Sequence, residues 1–475
     1  MRQIDKLNLE VYEELIVEFN ILSKEYGIYS NIIGVFFHEI MQYLTNYLII
    51  KNSTHVYNHK VSFPYLNTEY CLNPVLIDFN KLARNKYTFK ECVTSILLKV
   101  FFSFGEKIIM VDSFTLKEFP QFIFKNIFKY KFRLVLPSQV YLKHADQQVD
   151  LLESLLMRMS TKYKINNKEV FVKNFIRYID KYIGRKPTQR LYDAVFCTSN
   201  AILKNRINCC NHISNNKLVV SFAHGNVMDF MIFDEPIIGY GELSYCDYYV
   251  SYGGEDARLG KYNLPLSGHN VKILKRHSTL IETLNNATTI GKANRNMNGL
   301  FIPGSFNENR RYGPFRDVND ETYIRLQEAI FSQDLNLTSK ERPENKSRKS
   351  QDHYISGKDK AVFVKLESFN FKGFDYIVID YPTTALTISM ATNLPILYFN
   401  MGLRNLTSDA LKDIKKRVFW VDIDMSKNLN NQIQQGFYEF FNSTIEYKKD
   451  FLFKFSFSKN TSEECIQKTL RNFNA

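Results

Sequence analysis

Three short stretches hold side chains whose types and spacing suit group-transfer chemistry. In the first, the β-branched run Tyr376-Ile-Val-Ile379 is followed by Asp380 and then by Thr383-Thr384. Such a run reads as a buried parallel strand. In open α/β sheets, ligands bind beyond the carboxyl ends of strands, where helix starts offer N–H groups to anions. A Thr-Thr pair there can cap the helix, bind a phosphate, or do both. In the second, Phe222-Ala-His224-Gly225-Asn226, a strand delivers His224 into a glycine-containing turn. Imidazole titrates near neutrality, which suits a general base; a turn histidine bonded to backbone is the structural alternative. In the third, Ile302-Pro-Gly-Ser305 is followed by Arg310 and Arg311. Arginine supplies planar, bidentate donors that match phosphate oxygens, and a solvated loop is the plainer reading.

These turns need strands and helices to place them. Residues 4–26 and 31–50 read as helices, with Gly27 as the break, and an apolar helix lies around 90–104. Strands are expected at 107–111 and 132–136, then a helical block at 148–163, 167–184 and 188–206. Three strand-like pieces follow at 218–222, 247–250 and 271–274. The polar, glycine-containing segment 286–298 reads as a linker. Beyond it strands at 299–302, 335–338, 361–365, 376–379, 395–399 and 418–421 alternate with helices at 319–333, 384–392 and 407–415. That βαβ rhythm implies a parallel sheet with helices on its faces. Terminal helices are expected at 427–445 and 460–472. Residues 340–360, dense in charge, read as an exposed loop. His269 and His277 flank a strand and are given surface roles.

Composition narrows the classes. The chain has 475 residues, 45% hydrophobic and 23% charged, as in a soluble globular protein of two domains. A net charge of +13 fits an anionic partner such as a nucleotide-sugar or a phospholipid surface. Nucleic acid ranks last as a partner, because no motif for its recognition is visible. Seven cysteines without a C-x-x-C pair predict a reduced, cytoplasmic protein with no metal site. The opening MRQIDKLNLEVYEEL is too charged for a signal peptide. His38, Glu39 and Gln42 interrupt the apolar stretch Ile32–Ile50, so it reads as a buried helix.

The strand ending in Asp380, the Thr383-Thr384 pair, the helix, Asn393-x-Pro395 and the next strand resemble the donor-side motif of bacterial surface-carbohydrate biosynthesis transferases. Capsule 3-deoxy-octulosonic acid transferases and teichoic-acid glycerophosphotransferases are more distantly similar. His224-Gly225, then Glu242, then Asp247-Tyr-Tyr-Val-Ser-Tyr-Gly253 follow the order of that family's Gln-His-Gly-Gly turn, acidic residue, Asp-x-Tyr strand and Trp-Gly turn. Ala223, Asn226, Tyr252 and Gly254 depart from it. The likeness spans residues 30–60 and 218–425. It implies an α/β fold of two Rossmann-like doubly wound lobes, the GT-B arrangement, with an added N-terminal helical region. Residues 1–285 would form an acceptor-side lobe with helical insertions, 286–298 the linker, 299–445 a nucleotide-donor lobe and 446–475 a helical tail.

The resemblance also implies roles. His224 would take the proton from the acceptor hydroxyl, oriented by Asp247 or Glu242. Ser305, Arg310, Arg311, Thr383 and Thr384 would bind the donor phosphate, with Arg342 of Glu341-Arg342-Pro343 as a further cation. Asp380 would position its turn or contact the acceptor. Thr387 stands where relatives place a Glu that grips the ribose hydroxyls. The donor would be a nucleotide-activated sugar, a CMP-linked acidic one or a CDP-linked polyol phosphate; the acceptor would be a glycan or lipid-linked chain. No cofactor or metal is implied, and the enzyme would be cytoplasmic, with peripheral contact at the inner membrane face. The departures at Ala223, Asn226 and Thr387 leave a second outcome, a catalytically degenerate scaffold in a carbohydrate-assembly complex.

Overall fold

The computed structural model describes residues 3–27, 31–37, 39–41, 44, 48, 89–101, 105–126, 128–136, 138–184, 192–198, 202–223, 225, 227–232, 242–243, 245–252, 271–284, 291–304, 320–341, 361–366, 369–402, 405–446, 448–458, 460 and 462–474. The strands run β1 (Lys107–Val111), β2 (Tyr130–Leu134), β3 (Val140–Tyr141), β4 (Ile183–Gly184), β5 (Ala194–Cys197), β6 (Leu218–Phe222), β7 (Met231–Ile232), β8 (Tyr248–Ser251) and β9 (Lys272–Lys275). They continue as β10 (Gly299–Ile302), β11 (Leu337–Glu341), β12 (Ala361–Phe363), β13 (Tyr376–Ile379), β14 (Ile396–Asn400), β15 (Asn405–Leu406) and β16 (Phe419–Asp422).

Two six-stranded sheets result, each parallel throughout. The first has the order β2-β1-β5-β6-β8-β9 and the second β12-β11-β10-β13-β14-β16. In both, the order reverses beside the strand that comes first along the chain, between β1 and β5 and between β10 and β13. These are the switch points at which doubly wound sheets open a crevice. The central strands β6, β10 and β13 are buried along their whole length, because helices cover both faces. The fold is thus α/β with two parallel sheets, consistent with the expected pair of Rossmann-like lobes.

Most expected elements are present with ends displaced by a few residues. The expected helix over 188–206 is not continuous among its described residues. Ala194–Cys197 is instead the strand β5 beside the switch point, and the helix starts at Leu203. A short apolar run cannot be told from a buried helical segment by periodicity. The tail is also more than an appendage. Helix Ser462–Asn474 returns to the first lobe and packs Ile466 and Leu470 into the same core as Phe132, Phe196 and Val220. His277 belongs to that junction, stacked on Phe457 and bonded through Nδ1 to the Ser458 carbonyl at 3.2 Å. It has a packing role rather than the expected surface one. His38, His269 and residues 342–360 lie outside the described residues.

Helix Asp450–Phe455 joins the lobes. Phe451 meets Phe230 of the first lobe at 5.2 Å. Lys454 reaches Asp413, on helix Ser408–Lys415 of the second lobe, at 2.9 Å. Lys416 contacts Asp413 at 2.9 Å and Asp450 at 2.7 Å. Burial alone would raise the Asp413 carboxyl, but the hydrogen bonds and charges of Lys454 and Lys416 outweigh it and hold the group below its ordinary value. A carboxyl depressed in the folded state adds stability above its unfolded value of about 3.9 and loses it as pH falls through the folded one. Asp413→Asn should therefore cost about 1–2 kcal/mol at neutral pH. Thermal melts should show the gap from wild type constant between about pH 8 and 5 and closing below about pH 4. A gap that persisted into strong acid would contradict this account.

Candidate functional site

The turn after β13 is built around a buried carboxylate. Asp380 accepts from the Gly304 amide at 2.6 Å and from Gln327 Nε2, on helix Asp320–Phe331, at 2.9 Å. It thereby ties the carboxyl ends of β13 and β10 together across the second switch point. With 1% of its surface exposed, it positions the turn and does not face an acceptor. Thr383 caps helix Thr384–Met390: its backbone is extended and its hydroxyl accepts from the Ala385 amide at 3.1 Å. The far end is closed by Arg417, fully buried, which donates to the carbonyls of Thr392 at 2.8 Å and Leu394 at 3.0 Å.

The turn after β6 is held from the other side. The Ala223 amide donates to the Val250 carbonyl at 2.9 Å, extending the ladder by one bond. Arg276, directly after β9 and 2% exposed, donates from Nη2 to the Ala223 carbonyl at 3.1 Å. Its guanidinium lies 3.9 Å from the Tyr252 ring centre and 5.1 Å from that of Phe119. Asp229, on the short helix Val227–Phe230, accepts from the Ser251 hydroxyl at the carboxyl end of β8. Below them, burial and then the carboxylates Glu242 and Asp229 push the Tyr249 phenol well above its ordinary value. Asp229, Glu242, Tyr249 and Arg276 thus form one buried polar cluster under the turn.

The two turns meet. A Cβ built on Gly225 would lie 2.5 Å from Thr384 Oγ1, so only glycine allows this approach. An antiparallel bridge between the lobes flanks the contact: β7 pairs with β15, Leu406 opposite Met231. The Thr407 amide adds a bond to the Phe230 carbonyl at 3.0 Å.

Not every expected residue comes to this place. Asp247 stands at the amino end of β8, where its carboxylate accepts from the Val219 amide at 2.7 Å. Val219 and Ala223 are separated by four strand residues, about 13 Å. Asp247 therefore sits at the opposite edge of the sheet from the His224 turn and cannot orient an imidazole there. Thr387 has no exposed surface, so its hydroxyl belongs to the packing of the helix and does not line a donor site. Glu242, 1% exposed, is a member of the buried cluster. His224, Ser305, Arg310, Arg311 and Arg342 lie outside the described residues, whereas their chain neighbours Ala223, Gly225, Gly304 and Glu341 are described. Among the described residues, no three His, Cys, Asp or Glu side chains converge as a metal centre requires.

Arg276 and Asp229 were invisible to pattern reading. The single cue is positional: like Asp380 after β13 and Asp112 after β1, Arg276 directly follows a strand.

No family model matches this sequence, and no curated protein matches it. Among solved structures, that of the wall teichoic acid polymerase TagF is similar at 12% identity and a TM-score of 0.32, over 81% of this chain and 97% of that one.

The close approach is testable by a double-mutant cycle. Gly225→Ala should cost about 1–3 kcal/mol, because the β-branched Thr384 has little rotamer freedom with which to withdraw. Adding Thr384→Ala should recover most of that loss, measured by denaturant unfolding. A Gly225→Ala protein as stable as wild type would mean that the turns do not touch.

Proposed function

We propose that this chain is a GT-B-like transferase that moves a group from a nucleotide-activated donor to an acceptor hydroxyl during synthesis of a cell-surface polymer. The observation that carries the reading is the contact of Gly225, next to His224, with Thr384 of the opposite lobe. A candidate base and a candidate phosphate-binding turn thereby adjoin at the carboxyl edges of two doubly wound sheets, where ligands of such sheets bind.

In the proposed reaction, His224 accepts the proton of the acceptor hydroxyl as its oxygen attacks the donor. The bond between the transferred group and the nucleotide phosphate breaks, and the phosphate leaves with its electron pair. Thr384, Ser305, Arg310, Arg311 and Arg342 would hold that anion, with arginine forks matched to its oxygens. Arg276 and Asp380 act at one remove. Each fixes the backbone of one turn, so that base and anion site keep their spacing. The donor is a CMP-linked acidic sugar or a CDP-linked polyol phosphate, and the acceptor a glycan or lipid-linked chain.

One observation favours the scaffold reading instead. Thr387 is fully buried, so nothing at that position grips a ribose diol. Titration calorimetry with CMP-, CDP-, UDP- and GDP-linked donors separates the two, since a scaffold gives no heat with any of them. For the enzyme, His224→Ala should cut donor turnover at least about 100-fold, read as nucleotide release. Its calorimetric donor affinity should stay within about threefold of wild type, a shift of less than 1 kcal/mol. An unchanged rate in that variant would remove His224 from the chemistry.

A further inference from the structure

Helix Phe89–Phe101 carries its apolar stripe on the outside. Val93, Ile96, Leu97, Val100 and Phe101 recur at i, i+3, i+4, i+7 and i+8, the spacing that makes one continuous face. In a helix packed on a sheet that face turns to the core. Here its members are 40%, 61%, 48%, 61% and 60% exposed. The buried residue is Leu98, about 140° round the helix from Val93. The inward side is fixed against the edge strand β2, and Arg133 Nη1 donates to the Leu98 carbonyl at 3.3 Å. The outward stripe is therefore set by the packing of the opposite side.

The apolar surface continues beyond the helix. Phe124 is 64% and Phe128 78% exposed, both just ahead of β2. Gly105, just ahead of β1, lies against the Tyr130 backbone. That approach brings the Val100–Phe101 end of the helix and Phe128 to the same end of the sheet edge. Cations surround the patch. Residues 89–133 hold eight Lys and Arg against four Asp and Glu, and one of those acids, Asp112, is buried in its own hydrogen bonds. Lys99, Lys125 and Lys129 are exposed, and Lys107 and Lys131 half-buried. Lys125 has a carboxylate partner in Glu463 at 3.0 Å.

We propose that this face docks on an anionic lipid bilayer. An apolar stripe rimmed by lysines is the composition of helices that lie in the membrane interface: the aliphatic and aromatic groups enter the headgroup–acyl boundary, and the ammonium groups meet lipid phosphates. Thirteen residues span about 20 Å, too short for a hydrocarbon core of about 30 Å, so the helix lies in the plane. The chain's net charge of +13 favours the same anionic surface. This inference does not rest on the transferase reading, since it needs neither donor nor base.

The test is co-sedimentation of the full chain with vesicles of phosphatidylcholine and phosphatidylglycerol, against phosphatidylcholine alone. Wild type should partition to the anionic vesicles, less so as salt rises. Ile96→Glu/Val100→Glu should weaken that partition at least about tenfold. Both sites are exposed, so the circular dichroism and melting of this variant should match wild type. Tyr438→Glu, at an equally exposed aromatic in the other lobe, should bind as wild type does. Three results would overturn the proposal: no wild-type binding to anionic vesicles, equal binding by the double variant, or a concentration-dependent dimer that Ile96→Glu abolishes, which would make the face a contact between copies of this chain.

Discussion

Gly225 and Thr384 approach so closely that a single methyl on the glycine would come within 2.5 Å of the threonine hydroxyl oxygen. Much of the architecture can be understood as holding that approach. The β6 turn is fixed by the Ala223–Val250 bond and by a buried guanidinium on the Ala223 carbonyl. The β13 turn is fixed by Asp380 and capped by Thr383. Neither side can retreat far, because each backbone is bonded to a neighbouring strand end.

The two lobes solve the same problem with the same device. Asp112 follows β1 as Asp380 follows β13. It accepts from the amides of Thr115 at 2.7 Å and Thr198 at 3.0 Å, and from the Thr198 hydroxyl at 2.8 Å. A carboxylate has several acceptor sites and no donor when ionised, so it can collect amides from strand ends that diverge at a switch point. Unpaired, those buried N–H groups would each cost about 1–3 kcal/mol. What differs is the site one strand away. Arg276 reinforces the first lobe's β6 turn; among the described residues no equivalent guanidinium holds the β13 turn, and Arg417 serves the other end of that helix.

Much of this fold was legible in the sequence because its strands are short β-branched runs with helix-period segments between them. Tyr376–Ile379 and Gly299–Ile302 appear with the ends that their residues suggest. Ala194–Cys197 was misread because four buried apolar residues carry no period. The site was less legible, for a geometric reason. Order along the chain says that Asp247 precedes β8, but a residue before a parallel strand lies at the amino edge, away from the ligand side. The cation bonded to the His224 turn is Arg276, and Asp229 belongs to the buried cluster with it; both act through contacts with distant parts of the chain. Helix Phe89–Phe101 shows the same limit. Its apolar character is visible in the sequence, but that character says nothing about which way its apolar face points.

The return of the tail constrains how the lobes can move. The chain crosses between them once ahead of β10 and again after helix Leu429–Asn442, and helix Ser462–Asn474 is anchored in the first lobe's core by Cys465, Ile466 and Leu470. The β7–β15 bridge and the Asp413–Lys454 pair add further links between the lobes. A hinge motion that opened the Gly225–Thr384 contact would have to break the two-residue bridge, which is short, before it disturbed the buried anchor, which is not.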